Sequence, residues 1–138
     1  MRLLKLSGFV ALGLVVAMAA GWIWGSAGKR ELSTQLDALR VEHDLTLARS
    51  NVLAGRVDLY TLNFGSATQR FESAKTALGR LAARFDSNHD EARATLVRTT
   101  ASAVEDARRL AAQVNPSAQA AAQRALASLD QVTPAPGH

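Results

Sequence analysis

The chain has 138 residues, with 16 basic and 12 acidic side chains, a formal charge of +4, 27 alanines, 3 prolines and no cysteine. This length holds one small domain, the missing cysteine excludes disulfides and thiolate metal sites, and so much alanine favours helix over sheet. The charge does not argue for nucleic acid. From Lys29 onward 14 basic residues stand among 12 acidic ones, interleaved as in Arg40-Val41-Glu42-His43-Asp44, whereas a nucleic-acid surface needs a basic stripe, often with aromatic platforms.

Arg2 and Lys5 precede 23 residues without formal charge, which end at Lys29 and Arg30. The 19 residues from Leu6 to Trp24 match the roughly 20 needed to cross a bilayer. Trp22 and Trp24 close the run, where indoles favour the headgroup region. The stretch is expected to be one uncleaved transmembrane anchor in a cell membrane. A short basic N-terminus of this kind stays cytoplasmic, placing the helical part on the extracytoplasmic, periplasmic side of a bacterial membrane. The alternative is a secretory signal cut near Ala19, since Ala17-Met18-Ala19 has A-x-A spacing, and the product would be an exported soluble helical binding or chaperone-like protein. Gly25-Ser26-Ala27-Gly28 then reads as a joint, so that 1–28 is anchor and joint, 29–132 a helical domain and 133–138 a disordered tail.

An all-α fold is expected, with helices at about 30–62, 66–85, 89–114 and 117–132 forming an antiparallel hairpin or bundle with coiled-coil character. In the first helix Leu32, Leu36 and Leu39 form one stripe, and Ala38, Val41, Leu45, Ala48, Val52, Leu59 and Leu62 a second. A further series (Leu53, Val57, Tyr60, Phe64, Ala67, Phe71, Ala74, Leu78, Leu81 and Phe85) keeps a 4-3 alternation that would suit one long helix. The second stripe turns polar after Leu62, however. Asn63 and Gly65 tolerate left-handed backbone, and Ser66 with Gln69 has capping-box spacing. A hairpin turn at Asn63, Gly65 and Ser66 is therefore expected, with Asn88 and Glu91 capping the third helix and Asn115-Pro116 starting the fourth.

Around this turn the chain resembles a tetratricopeptide repeat: Gly55, Ala67, Phe71 and Ala74 fall at the spacing of its glycine, first alanine, aromatic and second alanine. Ala54, Asp58 and Gly79 depart from that pattern, and a shift of about 34 residues finds no second repeat. The resemblance implies hairpin geometry over about 30 residues and no more.

No chemistry is spelled out. His43-Asp44 and His89-Asp90 supply too few ligands for a metal, and no HExxH, GxSxG or glycine-rich phosphate loop occurs. The chain is expected not to be an enzyme and to need no cofactor or small-molecule substrate. Its expected partners are the bilayer and either another protein or further copies of itself. The expected packing or partner face comprises Leu32, Leu36, Leu39, Val41, Leu45, Val52, Leu59, Leu62, Phe64, Phe71, Leu78, Leu81 and Phe85.

Overall fold

The computed structural model describes residues 32–132. They form four α-helices and, among the described residues, no strand: α1 (32–60), α2 (Phe64–Ser87), α3 (Glu91–Ala112) and α4 (Ala118–Val132). The chain divides after Leu39 into two compact units. Of the first, residues 32–39 are described; they are helical, and Leu32, Leu36 and Leu39 are exposed rather than packed. The second, from Arg40, is an all-α four-helix bundle. The expected anchor Leu6–Trp24, with Arg2, Lys5, Trp22, Trp24, Lys29 and Arg30, lies outside the described residues, as does the tail. Among the described residues no helix is long and apolar enough to cross a membrane.

The chain turns back near its middle, one residue earlier than the residue types suggest. Leu62 takes the left-handed conformation (φ 59°), Asn63 does not (φ −90°), and no described glycine, Gly65 included, has positive φ. The Leu62 amide donates to the Leu59 carbonyl (3.1 Å) and the Asn63 amide to the Asp58 carbonyl (2.8 Å), the two bonds that close a Schellman helix end. Asn63 then caps α2, its Oδ1 accepting from the Ser66 amide at 3.2 Å. Ser66 is therefore not the cap; its hydroxyl donates to Asp58 Oδ2 at 2.7 Å, tying the start of α2 to the end of α1.

The same device recurs at each turn. His89 (φ 57°) is followed by Asp90, which caps α3 by accepting from the Arg93 amide at 3.0 Å, so Asp90 and not Asn88 is the cap. Val114 (φ 53°) is followed by Asn115, whose Oδ1 accepts from the Ser117 amide at 2.9 Å. Leaving one helix and capping the next is thus done by two adjacent residues.

Six contacts, two for each of three helix pairs, show antiparallel neighbours. On α1 and α2, Asp44 meets Arg80 (2.8 Å) and Gly55 meets the Phe71 ring. Lys75 of α2 meets Glu105 of α3 (3.0 Å), and the Arg93 guanidinium lies 4.7 Å from the Phe85 ring centre. On α4, Gln119 Nε2 donates to the Arg56 carbonyl (3.3 Å) and Asp130 pairs with Arg49 (2.8 Å), which closes the ring onto α1.

The core is fine-grained. Phe71, Leu78, Leu81, Leu129, Val52, Val97 and Val104 are its large members, with alanines such as Ala48, Ala67, Ala74, Ala94, Ala107, Ala118 and Ala122 between them. Thr100 is buried too, its hydroxyl satisfied by the Leu96 carbonyl at 3.0 Å. On α2 the 4-3 series is the buried face, through Ala67, Phe71, Ala74, Leu78, Leu81 and Phe85. On α1 the second stripe is buried instead, through Ala48, Val52 and Leu59, with Val41, Leu45 and, on α2, Phe64 half-buried against it. Leu62 is 75% exposed, contrary to its place in that stripe, because the left-handed backbone at the helix end takes it off the helical face.

Two glycines make a paired test. A Cβ on Gly55 would sit 2.8 Å from Phe71 Cε1, whereas one on Gly79 would meet nothing within 4 Å. Gly79→Ala should stabilise by up to about 1 kcal/mol through helix propensity. Gly55→Ala should instead destabilise by about 1–3 kcal/mol, because overpacking outweighs the same propensity gain. Urea unfolding of the two variants checks the opposite signs.

Candidate interaction surface

Once α2 folds back, α1 can bury only one of its apolar faces. At about 100° per residue, Leu53, Val57 and Tyr60 lie roughly 130° round the helix from the stripe of Ala48, Val52 and Leu59. They are accordingly 44%, 61% and 70% exposed. Three large apolar side chains in succession on one face form a patch rather than scattered surface apolars.

Tyr60 also reaches the end of the bundle where α1 hands over to α2 and α3 to α4. A groove of about 240 Å³ opens there, lined by Leu59, Tyr60, Leu62, Phe64, Pro116 and Gln119. Gln119 gives its Nε2 to the Arg56 carbonyl, and its Oε1 is buried with no hydrogen-bond donor. The turns at this end carry Leu62 and Val114, 75% and 63% exposed and both left-handed. Large or β-branched residues rarely adopt that conformation, at a cost of about 1–2 kcal/mol each. At the opposite end the equivalent position is His89, which is polar. Two residues unfavourable in backbone and in exposure thus stand at the same end of the bundle as an apolar groove, which Leu62 itself lines. Such outliers point toward a use.

The charged groups have structural explanations. Asp44 is 3% exposed and accepts from Arg80 Nε (3.1 Å) and Nη2 (2.8 Å), with Arg84 Nε 3.5 Å from its other oxygen. Arg108 Nε (2.8 Å) and Nη2 (2.6 Å) grip Glu105, joined by Lys75 (3.0 Å). The Arg108 hydrogen bonds, with help from Lys75, hold the Glu105 carboxyl down at about 2 against an ordinary 4.5. Asp90 is also lowered, first by accepting the Arg93 amide and then by the Arg93 side chain. His43 and His89 are exposed, and among the described residues no group of three potential metal ligands gathers. The Ser66 hydroxyl is engaged by Asp58.

Of the expected partner-face residues, Val52, Leu59, Phe71, Leu78, Leu81 and Phe85 are core, Val41, Leu45 and Phe64 are half-buried, and Leu32, Leu36, Leu39 and Leu62 are exposed. Pro116 and Gln119 of the groove, and Val114 at the same end of the bundle, carried no signal beyond helix punctuation and an apolar spacing. No protein-family model, no curated protein and no solved structure matches the chain.

Two outcomes follow. Val114→Gly should raise stability by about 0.5–1 kcal/mol, since relief of the left-handed cost exceeds the glycine entropy loss; chemical denaturation measures it. Glu105 and Asp90 bind protons more weakly folded than unfolded, so the stability they lend is complete above the ordinary carboxylate range. It is lost as pH falls from about 4.5 toward about 2. Thermal unfolding across that window should show a smaller fall in Tm for Glu105→Gln than for the parent.

Proposed function

We propose that the protein is a membrane-anchored helical interaction module that works by protein–protein contact and performs no chemistry of its own. The observation that carries this reading is the apolar surface left over after the core is filled: Leu53, Val57 and Tyr60 along α1, and Leu62 and Val114 at the bundle end. A bundle with so many alanines inside and so many larger apolar side chains outside is organised for contact with another protein. The anchor rests on the sequence alone, on the uncharged run from Leu6 to Trp24 between basic flanks. The extracytoplasmic, periplasmic placement rests on the short basic N-terminus. Coiled-coil character rests on the 4-3 spacing of the exposed α1 stripe.

Chemical cross-linking in gently solubilised membranes, followed by mass spectrometry, tests the contact. Cross-links should concentrate on α1 beyond Ser50 and on the turns holding Leu62 and Val114, and Tyr60→Ala with Leu62→Glu should lower them at least about tenfold while the circular dichroism is kept. Cross-links spread evenly over the bundle would remove the support for this surface. Intact mass decides the anchor: a mature chain beginning after Ala19 makes the protein an exported soluble binding or chaperone-like module instead.

A further inference from the structure

We propose that the exposed face of α1 pairs with the same face of a second copy of this chain, parallel and in register, through Leu53, Val57 and Tyr60. The inference rests on the interaction reading above and names its partner.

The spacing identifies the partner as a helix. Steps of four and then three residues put Leu53 and Tyr60 at d positions and Val57 at an a position of a heptad. Leucine at d with a β-branched residue at a is the combination that favours parallel two-stranded pairing. In the same register the bundle-facing residues Val52, Gly55 and Leu59, all buried, fall at c and f on the far side of the helix. The core and the seam therefore do not compete for side chains.

The flanking charges choose the direction. The g positions are Arg49 and Arg56, and the e positions are Ala54 and Thr61. A parallel pair sets each g residue beside an e residue of its mate, so Arg56 lies against Thr61, while Arg49 keeps its ion pair with Asp130 of its own α4. An antiparallel pair sets g beside g and brings Arg56 against Arg56 of the other copy, a like-charge contact that opposes association. The anchor proposed above points the same way, because two copies leaving one membrane on the same side start out in the same direction.

Size sets the strength. The three side chains expose on the order of 400 Å², about half of the ~800 Å² that each partner gives to a standard interface. Two copies free in solution pair weakly through such a patch. Two copies held in one membrane plane meet at a far higher effective concentration, and the seam then suffices.

The absence of cysteine from the whole chain makes the test direct. Leu53→Cys, Val57→Cys and Tyr60→Cys, each the sole cysteine of the full chain, are oxidised in intact membranes, with Ser102→Cys on α3 and Gln123→Cys on α4 as exposed controls. A parallel, in-register pair brings identical a and d positions within disulfide reach. The expected result is a covalent homodimer at the three seam positions, at least about tenfold above both controls, and lost when Val57→Glu is added to Tyr60→Cys. Equal dimer at seam and control positions, or none at the seam, overturns the proposal. Alkaline extraction of the same membranes reports on the anchor separately. A chain that resists extraction but gives no seam dimer ends self-pairing and leaves the interaction reading standing.

Discussion

The approach of α1 to α2 is the constraint on which the remaining structure depends. With Phe71 wholly buried and its ring filling the space where a side chain on Gly55 would stand, the two helices cross closely at one glycine. That crossing fixes which face of α1 is inside. The Asp44–Arg80 pair, farther from the turn, and the Asp58–Ser66 hydrogen bond, next to it, are placed at their distances by the same approach. Their energies are modest beside that of the packing. Arg80 keeps nearly half its side chain in water, so the pair acts more to set register than to stabilise.

Filling a bundle with alanine has a consequence for its outside. Each methyl buries little area, and close helix approach makes up part of the difference through dispersion contacts. Larger apolar residues that the core does not take must go elsewhere. On this chain they are gathered on one face of α1 and around two turns, rather than scattered. Interior packing and the candidate contact surface are in this sense one decision about where the large side chains go.

The helix count and the hairpin were legible because punctuation and periodicity agreed: the second α1 stripe stops at Leu62, polar residues follow, and Asn63, Asp90 and Asn115 sit where helices restart. The details of the turns were not legible. Asparagine and glycine are the residues that left-handed backbone ordinarily selects, yet Leu62, His89 and Val114 hold it, because the residue after each is needed as a cap and cannot serve both positions. The inner face of α1 was ambiguous for a different reason. Both apolar series suit a helix, and only the crossing at Gly55 and Phe71 decides between them. The groove joins residues from turns more than fifty positions apart, and no local pattern announces such a meeting.

The many alanines also determine how the fold responds to heat and denaturant. Unfolding a core of methyl groups releases less apolar surface per residue than unfolding one of leucines, so both the heat-capacity increment and the sensitivity to urea shrink with it. A smaller heat-capacity increment flattens the stability curve. Such a bundle keeps a nearly even margin across a broad range of temperatures instead of a high maximum at one of them.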